Sequence, residues 1–180
     1  FSEKKIRFTY LGSLYSTRNV TNLMEAIDKL HEDNPIYLNK FKIDLFGNIE
    51  EKILNEIKSF KHDIFEVNGL VSRELALNES LKSDVLLLIQ NTDNRSMNTI
   101  PFKTYDYLRT GKLIFALTYK NKEINNLLTD HNHIVADASH SENIYHGLKK
   151  IIDNISELNF KITKSKLTPK KAVEEMLELL

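Results

Sequence analysis

Cysteine is missing from this chain of 180 residues, and glycine occurs only 5 times. Without cysteine there is no disulfide and no thiolate metal site, which fits a reducing cytoplasm. Charge of one sign is also lacking: 25 basic residues balance 25 acidic ones, so no global field recruits nucleic acid. No apolar run approaches the ~20 residues that cross a bilayer, and no signal peptide opens the chain. What remains, 41% hydrophobic and 28% charged residues, belongs to a globular domain able to bury a core. The chain opens at Phe1 and enters a strand almost at once, as expected of a piece of a longer polypeptide.

Apolar runs and helical periodicities alternate. Ile6–Leu11, Phe41–Phe46, Ile64–Val67, Val85–Ile89, Leu113–Leu117 and Ile134–Ala136 read as strands. Helices are predicted between them: one carrying Val20, Leu23, Met24, Ile27 and Leu30, one carrying Ile53, Leu54 and Ile57, and one from Ser72 to Lys82. Two more cover Pro101–Thr110 and Glu123–Leu128, and Ile144, Leu148, Ile151, Ile152 and Ile155 mark a long closing helix. The alternation argues for an α/β fold with a doubly wound, mainly parallel six-stranded sheet. Right-handed crossovers then place every strand's carboxyl end on one rim. Leu158–Lys166 is polar and lysine-rich and reads as a surface loop. Thr168 before Pro169 reads as the N-cap of a terminal helix to Leu180. The whole is one domain, with residues 1–157 as core and 168–180 as the added helix. The run Lys161, Lys164, Lys166, Lys170 and Lys171 is a solvated face or, alternatively, a peripheral contact with an anionic membrane surface.

The few glycines are well placed. Gly12, Gly47 and Gly69 follow predicted strands, where an open parallel sheet binds its ligands. Plain turn chemistry is the other explanation. No G-x-G-x-x-G follows the first strand and no G-x-x-x-x-G-K-[ST] exists, which disfavours a dinucleotide dehydrogenase and a P-loop NTPase. Arg18, before the first helix, can reach a phosphate with a bidentate fork, or can pair with a nearby carboxylate.

The segment Asn98–Leu117 is the most informative. A polar loop runs into Pro101, which suits a first helical turn, and Gly111 ends the short helix. Unpaired N–H groups at such a helix start suit a phosphate. Lys103 and Asp106, three apart, share one face and can serve as cation and hydroxyl acceptor for a sugar nucleotide, or as an ordinary surface ion pair. His131 and His133 lack carboxylate partners in sequence and are expected to be solvated, and Asp93 and Asp137 to be loop and turn residues.

Four stretches together resemble the C-terminal, donor-binding half of a GT-B glycosyltransferase of the retaining glycosyl transferases group 1 family. They are Tyr10–Leu14 with Arg18 and Asn19, Ile43–Gly47, Val67–Ser72 with Glu74 and Leu75, and Asn98–Leu117, within a match from Ile6 to Asn154. The resemblance implies a Rossmann-like domain that binds a nucleotide-sugar donor. The acceptor, a polysaccharide, lipid-linked or other glycan, would be held by an N-terminal domain absent here. It implies a cytoplasmic enzyme, with the inner membrane face as peripheral location, that uses no metal or other cofactor and is inactive as this piece alone. Gly12 and Ser13 would lie on the phosphate loop, Arg18 on the diphosphate, and Asn68, Gly69, Leu70 and Val71 along the nucleobase. Thr99, Ile100 and Lys103 would complete the donor site. Relatives carry two glutamates separated by seven residues around this helix; aligned on Gly111, these positions hold Asn98 and Asp106, the implied catalytic pair. Asn98 is a neutral amide and Ser13 replaces a common arginine, so this chain has less charge there than its relatives. The alternatives are a non-catalytic α/β binding or interaction module, and half of a sugar-nucleotide 2-epimerase.

Overall fold

A computed structural model describes residues 4–164 of the chain. Six parallel strands form one sheet in the order β3-β2-β1-β4-β5-β6. They are β1 (Ile6–Leu11), β2 (Phe41–Phe46), β3 (Phe65–Gly69), β4 (Val85–Ile89), β5 (Leu113–Thr118) and β6 (Ile134–Asp137). Between them run α1 (Thr21–Asp33), α2 (Glu51–Ser59), α3 (Arg73–Lys82), α4 (Phe102–Thr110) and α5 (Lys122–Asp130), and α6 (Ser141–Lys164) closes the fold. The expected doubly wound sheet is present, and all its pairings are parallel. Strand order reverses direction between β1 and β4, so the crevice beyond their carboxyl ends is the position where such sheets bind ligands.

Strand alternation builds two apolar layers. Val85, Leu87 and Ile89 of β4 join Phe8, Tyr10, Ile43, Phe115 and the buried faces of α1, α2 and α6. Leu86 and Leu88 point the other way and meet Tyr107 of α4 with Ile124 and Leu128 of α5. This second face turns polar beneath α3. There Arg7 of β1 pairs with Asp44 of β2 and, at 2.6 Å, with Glu79 of α3. Ser83 Oγ donates to Thr9 Oγ1 at 2.6 Å in the same layer. Helix α3 therefore anchors through polar groups, and its Leu75, Leu77 and Leu81 remain exposed.

Three expectations need correction. The segment from Leu158 is not a loop: α6 continues to Lys164 past a single break at Asn154 (φ −130°, ψ 22°). Leu158 and Ile162, four apart, are buried and hold that last stretch to the core. Strand β3 begins one residue late and runs through Gly69, because Ile64 is instead tucked ahead of it, its carbonyl accepting from Ile43 N–H at 2.9 Å. His133 is not solvated but 6% exposed, its Nδ1 accepting from Ile114 N–H at 3.2 Å. The predicted helix 168–180 lies outside the described residues.

Burial, helped by the nearby His131, lowers the His133 imidazole to about pKa 4. An unfolded imidazole titrates near 6.5, so the unfolded chain takes up a proton between pH 6.5 and 4 that the folded chain refuses. Stability should thus fall by at most about 3 kcal/mol as pH drops through that window. Urea titrations at pH 7.5 and 4.5 check this. His133→Asn, which keeps an acceptor for Ile114, should flatten that part of the profile.

Candidate functional site

The crevice between β1 and β4 is lined by two loops and one helix start. Strand β1 ends at Leu11, whose N–H donates to the buried Tyr107 hydroxyl of α4 at 3.1 Å. The chain then passes Gly12 at φ +149°. Tyr10 Oη donates to the Ser13 carbonyl at 2.9 Å, which folds the loop back over the strand end. Burial pushes the Tyr10 phenol well above its ordinary pKa, partly countered by the neighbouring Arg18 charge.

Lys103 enters from the opposite side. Its ammonium donates to the Leu11 carbonyl at 2.9 Å and lies 4.8 Å from the Tyr10 ring centroid. A β-carbon at Gly12 would collide with this same ammonium, so Gly12 and Lys103 are in contact. Burial, followed by repulsion from Arg18, lowers Lys103 to about pKa 8. Arg18 rests its guanidinium carbon 5.2 Å from the Tyr15 ring centroid, and its buried Nε has no hydrogen-bond partner. Two cations thus face one spot, and among the described residues neither is paired with a carboxylate. The ion-pair alternatives for Arg18 and for Lys103 with Asp106 are not what the fold adopts.

Helix α4 begins at Phe102, with Pro101 as N-cap rather than first helical residue, and no side chain caps it. Its first N–H groups therefore lack intrahelical acceptors at the same rim. Asp106 is exposed and lines, with Lys103, Leu11 and Arg73, a groove of about 440 Å³ between α3 and α4. Asn98 and Thr99 are exposed on the loop after β4, and Ile100 packs against the α4–α5 layer. Asn68, Gly69, Leu70 and Val71 stand farther along the same rim, at the end of edge strand β3. The link to them runs through glycine backbone: Gly12 N–H donates to Phe46 O at 2.8 Å, and Gly47 N–H to Gly69 O at 2.7 Å. Gly12, Arg18 and Lys103 are brought together, and Asn68–Val71 lie on the same rim two strands away, at the end of β3.

Sequence reasoning missed the residues that tie the loops to one another. Thr92 N–H donates to Thr17 O at 2.7 Å, and Arg95 reaches Thr17 Oγ1 at 2.9 Å while pairing with Asp93. Arg95 holds the Asp93 carboxyl down at about pKa 2, and Asp93 is the loop residue it was expected to be. Gln90 and Asn121, both buried, bond the carbonyls of the 96–99 loop from beneath. Asn121 had a local signal, since it caps α5 by accepting from Ile124 N–H. Among the described residues, no group of three or more His, Asp or Glu side chains converges as metal ligands would. No helix among them is long and apolar enough to cross a membrane.

No protein-family model matches the sequence, and no curated protein matches it either. Solved structures do match, and they agree on the fold. HepE of Anabaena, in complex with UDP, superposes with a TM-score of 0.69 at 11% identity, covering 98% of this chain and 49% of that one. The C-terminal domain of LpcC, a glycosyl transferase group 1 family protein from Francisella tularensis, gives 0.66 at 12% identity, over 95% and 86% of the two chains. WaaG, a glycosyltransferase involved in lipopolysaccharide biosynthesis, gives 0.66 at 13% identity, over 91% and 42%. This chain spans about half the length of HepE and less of WaaG. Its fold is that of the C-terminal half of a GT-B glycosyltransferase.

Proposed function

We propose that this domain binds the nucleotide-sugar donor of a retaining glycosyltransferase whose acceptor glycan is held by a second domain. The convergence of Gly12, Arg18 and Lys103 beside the uncapped start of α4 carries the reading. Among the described residues no carboxylate pairs with these cations, and the spot offers them together with main-chain donors, the chemistry a diphosphate needs. HepE was crystallised with UDP and with UDP-glucose, which supports the same ligand class here.

In this reading the diphosphate lies beside Gly12, whose lack of a side chain leaves room for the Lys103 ammonium to reach it. Arg18 and Lys103 neutralise the charge that grows on it as the glycosidic bond breaks, the part a divalent metal plays elsewhere. Asp106 accepts from the ribose hydroxyls, and Asn68–Val71 border the base. Asn98, Thr99 and Ile100 line the end of the donor where sugar and diphosphate join; the neutral amide of Asn98 orients the sugar by hydrogen bonding rather than by charge. Acceptor transfer by this chain alone is expected to be negligible.

Calorimetric titration with UDP and GDP tests the proposal. One of them should bind, and Arg18→Ala or Lys103→Ala should each weaken it about tenfold to a hundredfold, the worth of a hydrogen bond to a charged group. Because Lys103 titrates at about 8 in the free protein, a bound dianion should raise that value. Binding at pH 8 should then take up a fraction of a proton, and affinity should decline as pH rises from 7 to 9. Absence of binding by either nucleotide at millimolar concentration would sink the assignment.

A further inference from the structure

The geometry points to Gln90 and Asn121 as positioning residues that aim a main-chain donor at the donor phosphate, an inference that rests on the function proposed above. Gln90, at the end of β4, is 1% exposed, and Asn121, before α5, is fully buried. Each amide has its orientation fixed by an N–H that donates to its oxygen: Tyr119 N–H to Gln90 Oε1 at 3.3 Å, and Ile124 N–H to Asn121 Oδ1 at 3.1 Å. Both NH₂ groups must then face the loop. Gln90 Nε2 and Asn121 Nδ2 donate to the same Thr99 carbonyl, each at 3.1 Å, and Asn121 Nδ2 also to Ser96 O at 2.6 Å.

Two donors on one carbonyl fix the plane of the Thr99–Ile100 peptide. No peptide of the described chain is cis, so the Ile100 N–H points opposite to the Thr99 carbonyl, away from the buried amides and to the outer side of the loop. It is the last N–H before Pro101, which has none, and it precedes those of Phe102 and Lys103 at the start of α4. A donor aligned in advance costs no reorganisation when charge develops opposite it. Gln90 and Asn121 touch no ligand; they act through the loop.

Asn121→Asp in the full chain is the test, because it keeps the acceptor for Ile124 and the helix cap while replacing the donor with an oxygen that repels Ser96 O and Thr99 O. UDP and uridine are the probes, titrated by calorimetry and NMR. UDP affinity should fall about tenfold and uridine affinity stay unchanged, since the loop serves the phosphates and not the base. A purely structural role would instead lower the unfolding midpoint and weaken both ligands alike, which overturns the inference. Equal UDP binding by variant and parent overturns it too, while leaving the donor-site assignment standing. Should the parent itself bind no UDP or GDP, the functional reading and this inference fail together. If Asn121→Asp does not fold, Gln90→Met, which leaves Thr99 O a single donor, should still lower UDP affinity severalfold with uridine unaffected, and equal UDP binding there counts against the role in the same way.

Discussion

Replacing Asp44 with alanine should cost the fold about 3 kcal/mol, because a partly buried guanidinium loses one of its two carboxylates. The Asp44 side chain is 2% exposed in the centre of β2, and Arg7 beside it on β1 is 18% exposed. Arg7 also holds Glu79 of α3, so one guanidinium joins two strands and the helix that covers them. Lys42 adds a second cation, 3.1 Å from Asp44 and 2.9 Å from Glu66. Removing Asp44 leaves Arg7 with Glu79 alone and opens a space that water reaches poorly. The double variant Arg7→Met, Asp44→Leu removes both charges, and Glu79 keeps Lys82 at 3.0 Å. It should therefore be more stable than the single variant by about 2 kcal/mol, because no buried charge is left uncompensated. Urea unfolding of the two variants measures the difference. A single variant within about 0.5 kcal/mol of the parent would mean that the cluster is solvated in practice.

The polar layer that makes this prediction possible also explains which parts of the fold were legible. Val85–Ile89 is apolar at every position and could only be a strand covered on both faces, as it is. In β2, Lys42 and Asp44 alternate with Phe41, Ile43 and Leu45, a pattern usually read as a sheet with one wet face. Here Asp44 on that face is buried and its charge is satisfied by Arg7, 37 positions away, while Lys42 reaches Glu66, 24 positions away. Distances of that order leave no local trace. The same reason hid Gln90 and Asn121, whose shared target is a backbone carbonyl. It also hid the Thr17–Arg95 contact, which spans 78 positions. Elements were legible through periodicity and glycines through strand ends, whereas side chains that act on distant backbone were not. The stretch after Asn154 shows a different limit: its lysines suggested a loop, yet two apolar residues sufficed to keep it helical.

The candidate site follows the same division. Gly12, Arg18 and Lys103 each carried a local reason to be noticed, and the strand order placed them together at the point where the winding reverses. The partial loss of charge at Lys103 depends on burial and on the approach of Arg18, neither visible in the sequence. Under the proposed function, a lysine whose pKa is lowered in the free domain and that is charged beside a diphosphate would make binding proton-coupled. Both Asn98 and Ser13 being neutral, that coupling concentrates the electrostatic work of this rim on two side chains.

Gly47→Ala should destabilise the domain by about 3 kcal/mol or more, and Gly12→Ala by less, though both glycines sit on this rim. Gly47 has φ +133°, a conformation glycine alone adopts readily, and an alanine β-carbon there would run into the carbonyl oxygen of Gly12. That carbonyl cannot retreat, since Gly12 N–H is tied to Phe46 O at 2.8 Å and the next peptide to Tyr10 through Ser13 O. The obstacle is backbone on backbone. Gly12 at φ +149° carries the same kind of backbone strain, about 1–3 kcal/mol for alanine, but its added methyl would meet only the end of a flexible lysine, which can swing aside once its bond to Leu11 O is broken. Gly12→Ala should therefore lose less stability than Gly47→Ala and lose UDP affinity roughly tenfold or more, because the displaced ammonium and the filled space both lie where the proposed function puts the diphosphate. Gly47→Ala should lose stability first and affinity only through the loop it distorts. Denaturation and calorimetry on the pair separate the two effects. If Gly12→Ala bound UDP as tightly as the parent, the space above Gly12 could not be where the phosphates rest, whatever the stability of either variant.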